Sequence, residues 1–172
     1  DVHEDTATIA ANALLKLIKD FNLNPTEIGR IYLGTESALD GAKPTATYAV
    51  QLVESVLEDE FGTRIFKHTD VVDMTFACIG GVDAMHNSID YVRVNPEKKA
   101  IVIAADYAKY GLESTGEYTQ GAGAVAVLIS NQPDLIEFDS IWGIGTESVF
   151  DFFKPRQTTS QKEVLNTLGT TK

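Results

Sequence analysis

The chain has 172 residues, 44% of them hydrophobic and 23% charged, the balance expected of one soluble globular domain with its own core. A formal net charge of −11 disfavours a surface built for nucleic acid or an anionic membrane. The single cysteine excludes an internal disulfide and no apolar run reaches the length of a membrane span, so the expected setting is a reducing, cytoplasmic one.

Residues 6–21 place Ile9, Ala10, Ala13, Leu14, Leu17 and Phe21 at helical spacing, with Asp5 or Thr6 as cap. After the Asn24-Pro25 break, residues 28–34 read as a short buried strand centred on Ile31, Tyr32 and Leu33. The strand stops at Gly34-Thr35-Glu36-Ser37. A second helix is predicted from Pro44 to about Phe61, with Tyr48, Leu52, Val56 and Phe61 on one face and Gly62 as its stop. Residues 65–69 precede or extend a β-branched strand over 71–77. That strand runs into Cys78-Ile79-Gly80-Gly81 and then a helix striped with Val82, Met85, Ile89 and Val92. Asn95-Pro96 breaks the chain again.

Residues 100–105, AIVIAA, form a continuous apolar run, as in a strand covered on both faces, and end in Asp106. Residues 107–118 read as a loop, 119–130 as a segment that becomes a strand, and 135–145 as a further strand. Alternating helix and strand, followed by successive strands, fits a layered α/β domain with a mixed sheet and covering helices.

The strand–Cys78–Gly-Gly–helix arrangement leaves the thiol near a helix N-terminus. Unpaired N–H groups and the dipole there favour negative charge, and hence the nucleophilic thiolate. Gly80 and Gly81 would let other backbone come close. The competing reading is an inert core thiol. Glu36 also follows a buried strand directly, so it falls at a sheet edge of the kind where ligands bind in open α/β sheets. It reads either as a general base or as a surface carboxylate in a turn. Asp106 carries the same ambiguity. Asp151 lies among aromatics, where a carboxylate needs hydrogen bonds.

His3, His68 and His86 are scattered and make a poor zinc set with one cysteine. Gly121-Ala122-Gly123 mimics a dinucleotide fingerprint, but a loop precedes it and a β-type run follows, so that reading is rejected.

Several motifs in order carry a family resemblance: Thr35-Glu36-Ser37-Ala38-Leu39-Asp40, Ala77-Cys78-Ile79-Gly80-Gly81, Ala104-Ala105-Asp106-Tyr107-Ala108-Lys109-Tyr110, residues 116–126 (GEYTQGAGAVA), and Phe150-Asp151-Phe152-Phe153-Lys154-Pro155. Together they resemble the 3-hydroxy-3-methylglutaryl-CoA (HMG-CoA) synthases of the thiolase-like superfamily. The resemblance runs from about Asp5 to Pro155. It implies a thiolase-like N-terminal domain over 1–155, followed by a polar segment over 156–172.

It also implies that the family's first strand precedes Asp1, and that its second half, with a histidine that helps bind acetoacetyl thioester, follows Lys172. Ile79 stands where the family commonly has tyrosine, and Val82 where it has a small hydroxyl residue. Cys78 is then implied as the nucleophile and Glu36 as general acid/base, with Asp106, Asp151, Gly80 and Gly81 in support. The implied substrates are acetyl-CoA and acetoacetyl-CoA, with no metal or redox cofactor, in a homodimer of isoprenoid (mevalonate) metabolism. Alternatives are a β-branching synthase acting on carrier-protein thioesters, a ketoacyl synthase, and a non-catalytic module that keeps only the fold.

Overall fold

The computed structural model describes residues 3–149, which fall into two units: 3–108 with 121–135, and 109–120 with 136–149. Asp151 and the polar segment 156–172 lie outside the described residues.

The first unit is a four-stranded mixed sheet with helices on both faces. In chain order it comprises α1 (Thr6–Asp20), β1 (Ile28–Gly34), α2 (Thr45–Phe61), β2 (Asp70–Met74), α3 (Gly80–Val94), β3 (Lys99–Ala108) and β4 (Gly121–Ile129). The sheet order is β2-β1-β3-β4. β1 pairs parallel with both β2 and β3, and β3 pairs antiparallel with β4.

Period-two alternation splits the side chains of each strand between the faces. Ile31, Leu33, Ile101, Ile103 and Ala105 join Leu14, Ile18, Ala46, Ala49, Val53 and Leu57 in the core under α1 and α2. The alternate residues of β1 and β3 therefore lie on the α3 side.

Helix α1 begins where the sequence predicts. Asp5 Oδ1 accepts Thr8 N–H at 2.8 Å, and Thr8 Oγ1 accepts Asp5 N–H in a reciprocal capping box. Helix α2 departs from expectation. It buries Ala46, Ala49, Val50, Val53 and Leu57, while Leu52 is 43% and Val56 54% exposed. Two apolar stripes compete along this helix. The one with the small residues Ala46 and Ala49 lies against the sheet because it lets the helix come closer.

In α3 the predicted stripe holds at Ile89 and Val92, which are buried along with Gly80, Ala84 and Ser88, but not at Val82, which is 48% exposed. Arg30 fastens α3 to β1 further along: its guanidinium lies 4.7 Å from the Tyr32 ring centroid and 4.4 Å from that of Tyr91, and it donates to the Asn87 carbonyl at 3.0 Å.

Strand boundaries differ in three places. β2 covers Asp70–Met74 and stops three residues short of Ala77, and residues 65–68 form turns. β3 runs on through Asp106 to Ala108, because β4 continues to pair with it up to Ala108↔Gly121. No strand forms over 135–145. Apolar composition gives that segment strand propensity, but a strand exists only where a neighbouring edge satisfies its N–H and C=O groups.

The second unit contains one short 3-10 turn, Glu117–Thr119. Within it Tyr110 N–H donates to Gln120 Oε1 at 2.9 Å, and the Phe138 and Trp142 rings stack with centroids 5.8 Å apart.

Candidate active site

The turn that carries Cys78 begins where β2 ends. Met74 closes the strand, Ala77–Ile79 form a single 3-10 turn, and α3 follows without a break. Ala77 has φ of 43°, a left-handed conformation that costs a residue with a Cβ about 1 kcal/mol or more. Ile79 N–H and Gly80 N–H both donate to the Phe76 carbonyl, at 3.2 and 3.1 Å. Cys78 is exposed on the described unit and does not join its core.

Glycines seat this turn on the sheet. A Cβ added to Gly34 would lie 2.2 Å from the Gly81 nitrogen and 2.6 Å from the Gly80 carbonyl carbon. One added to Gly80 would lie 2.3 Å from the Met74 carbonyl oxygen, and one on Gly81 would lie 3.3 Å from Ala104 Cβ. The start of α3 thus rests backbone to backbone on the ends of β1 and β2, and beside β3. Gly34 is the last residue of β1, and Glu36 follows two residues later. Cys78 and Glu36 are therefore brought to the same end of the sheet, at the carboxyl ends of the parallel strands, where ligand sites gather in open α/β sheets.

The loop bearing Glu36 is held by a carboxylate from β3. Asp106 Oδ1 accepts Glu36 N–H at 2.7 Å, Ser37 N–H at 3.1 Å, Thr35 Oγ1 at 2.9 Å and Ser37 Oγ at 2.8 Å. Ser37 Oγ in turn accepts Tyr107 N–H at 2.8 Å. Thr6 Oγ1, from the first turn of α1, donates to the Ser37 carbonyl at 2.8 Å. Thr35 N–H donates to the Met74 carbonyl at 3.2 Å, joining the loop to β2. Asp106 thus holds the backbone on both sides of Glu36.

Further along the same loop, Asp40 accepts Ala42 N–H at 2.7 Å, Lys43 N–H at 3.0 Å and the Tyr48 hydroxyl at 2.8 Å. The Ala42 N–H, then the Tyr48 hydroxyl, push its carboxyl down to about 2.

The sequence predicts Cys78, Glu36, Asp106, Gly80 and Gly81 as site residues, and the structure gathers all five at one sheet end. Gly34, Thr6 and Ser37 were not legible as site residues. Their roles depend on partners far away in sequence, and the one available hint was that Gly34 ends a strand. His86 lies on α3 with Nε2 3.8 Å from Asp90 Oδ2, a pair along the helix itself. A surface hollow of about 360 Å³ lined by Asp5, Thr8, Leu39, Tyr48, Gln51 and Leu52 includes neither Cys78 nor Glu36. No helix among the described residues is long and apolar enough to cross a membrane.

Comparison with known proteins bears on this arrangement. The family model described as hydroxymethylglutaryl-coenzyme A synthase N terminal matches residues 1–134. The hydroxymethylglutaryl-CoA synthase of Haloferax volcanii is 41% identical over 159 residues, 91% of this chain and 35% of that protein. Among solved structures, MvaS in complex with 3-hydroxy-3-methylglutaryl coenzyme A superposes with a TM-score of 0.79 at 33% identity, covering 96% of this chain and 37% of that one. An HMG-CoA synthase complexed with CoA gives a TM-score of 0.74 at 31% identity, covering 90% and 37%. The chain spans about a third of the length of the curated relatives it matches.

Proposed function

The chain belongs to the hydroxymethylglutaryl-CoA synthase family, and on that premise we propose that the protein carrying it condenses acetyl-CoA with acetoacetyl-CoA to give HMG-CoA, the step that feeds the mevalonate pathway. The observation that carries this reading is the glycine-seated contact of Gly34 with Gly80 and Gly81, which sets the Cys78 turn against the end of β1, two residues before Glu36.

Cys78 Sγ attacks the thioester carbonyl of acetyl-CoA, the carbon–sulfur bond to CoA breaks, and CoA leaves as its thiol. The backbone N–H of Cys78 stabilises the oxyanion formed on the way, since those of Ile79 and Gly80 are already given to the Phe76 carbonyl. The acetyl methyl, acidified by its thioester, loses a proton to Glu36. The resulting carbanion adds to the ketone of acetoacetyl-CoA, whose oxygen takes up a proton. Water then cleaves the thioester to Cys78, releasing HMG-CoA and the free thiol. CoA thioesters supply the carrier chemistry as substrates. Asp106 holds the Glu36 backbone in place throughout, and Asp151 is a further supporting carboxylate.

A homodimer fits the exposed apolar side chains Phe76, Val82, Val125 and Val127 and the two sheet edges, β2 and β4, left unpaired among the described residues. The carrier-protein and non-catalytic readings are less supported, because the relatives matched over most of the chain are named as HMG-CoA synthases.

The test uses the full-length protein. Mixing with acetyl-CoA should add one acetyl group by intact mass, and Cys78→Ser should abolish it. Glu36→Gln should leave acetylation intact and stop condensation, since the base is needed only in the second step. Unchanged labelling of the serine variant, or joint loss of both steps in Glu36→Gln, rejects the assigned roles. Faster turnover with carrier-protein thioesters than with CoA thioesters would favour the β-branching alternative.

A further inference from the structure

We propose that Asp73, on β2, is a positioning residue that couples the Cys78 turn to the Glu36 loop. The proposal rests on the functional reading above.

Helix α2 starts without a cap of its own: its N-cap residue is Pro44, which has no side-chain hydrogen bond to offer. Its first two N–H groups are satisfied from another element. Thr45 N–H donates to Asp73 Oδ2 at 2.5 Å and Ala46 N–H to Asp73 Oδ1 at 2.9 Å. This carboxylate stands at a helix N-terminus, where negative charge is favoured. It also sits one residue before the end of β2, the strand that delivers Cys78.

Thr45 is fully buried, and its hydroxyl oxygen accepts Leu39 N–H at 3.0 Å. Leu39 belongs to the loop that carries Glu36. A continuous path therefore runs from the nucleophile strand through Asp73 and Thr45 into that loop. Asp106 fixes the loop's near end at residues 35–37, and Asp73 fixes its far end at residues 39–46. A cap supplied by residue 44 itself would stabilise α2 equally well but would leave the loop's far end untied from β2. The cross-element carboxylate does both.

The experiment separates capping from positioning in the full-length protein. Asp73→Ala removes both functions, and Asp73→Ala with Pro44→Asp restores a local cap only. The double variant should regain the wild-type unfolding midpoint and acetylate Cys78 within about twofold of wild type. Its condensation kcat should stay about 10- to 100-fold low, the scale of a misplacement of the order of 1 Å. Condensation restored to the wild-type rate in the double variant overturns the proposal, because capping would then be the whole role. Where neither alanine variant folds, Asp73→Asn keeps one acceptor oxygen and should show an intermediate loss of kcat at unchanged KM; a wild-type kcat there also overturns it. A wild-type protein that neither acetylates nor condenses would instead bring down the functional reading, and the failure would be visible before any variant is examined.

Discussion

Replacing Gly34 by alanine tests the contact on which the site geometry depends. The added Cβ would sit 2.2 Å from the Gly81 nitrogen and 2.5 Å from its Cα, both backbone atoms in the first turn of α3. Ordinary contact between such atoms lies near 3.5 Å, so the helix start must retreat by about 1 Å or more. Overpacking of this kind costs about 1–3 kcal/mol, offset by about 0.4–1 kcal/mol from the reduced freedom of the unfolded chain. The expected net loss of stability is therefore at most about 2.5 kcal/mol.

The functional cost is larger. Displacing the Cys78 turn from the Glu36 loop by about 1 Å should lower condensation about 100-fold. Gly81→Ala provides the graded control, since its Cβ meets only the Ala104 methyl at 3.3 Å and a side-chain adjustment of a few tenths of an ångström relieves it. Gly41→Ala is the neutral control, with nothing within 4 Å. Urea unfolding and steady-state condensation assays across the series should rank the loss as Gly34 first, then Gly81, then Gly41. A Gly34→Ala variant with wild-type kcat would refute the claim that this backbone contact sets the site.

Asp106→Ala should destabilise the protein by about 3 kcal/mol by stranding the donors of Thr35, Glu36 and Ser37, and should depress condensation more than acetylation; equal loss of both steps would argue against a role confined to the Glu36 loop. Tyr32 donates to Asp70 Oδ2 at 2.7 Å, and burial, then that bond, push its phenol up to about 12. The folded state thus holds this proton more tightly than the unfolded chain. The stability linked to this proton is whole below pH of about 10 and is lost as pH rises towards about 12. Tyr32→Phe should remove that alkaline dependence in urea titrations, and parallel profiles for the two proteins would contradict the assignment. The 172-residue chain by itself should make no HMG-CoA and should self-associate; a monomer by light scattering at all concentrations, or turnover of acetoacetyl-CoA, would overturn the respective claim.

Local pattern determined a large part of this molecule. The capping residue Asp5, the strand over 28–34, the helix after Pro44 and the apolar run of β3 are all set by neighbours close in sequence, and each stands close to where the sequence puts it. The placing of Cys78 between a strand and a helix was legible for the same reason.

Tertiary structure alone decided which face α2 turns inward. Leu52 and Val56 form as good a stripe as Val50, Val53 and Leu57, and periodicity does not choose between them; the close approach allowed by Ala46 and Ala49 does. It also decided that residues 135–145 form no strand, since a ladder needs a partner that no single segment can announce. The ties among Asp73, Thr45, Thr6, Thr35, Ser37 and Asp106 join residues up to 71 positions apart, as between Thr35 and Asp106. Hydrogen bonds over such separations leave no periodic mark in a sequence. They exist because parallel strands bring their ends together, and the chemistry of the candidate site follows from that convergence.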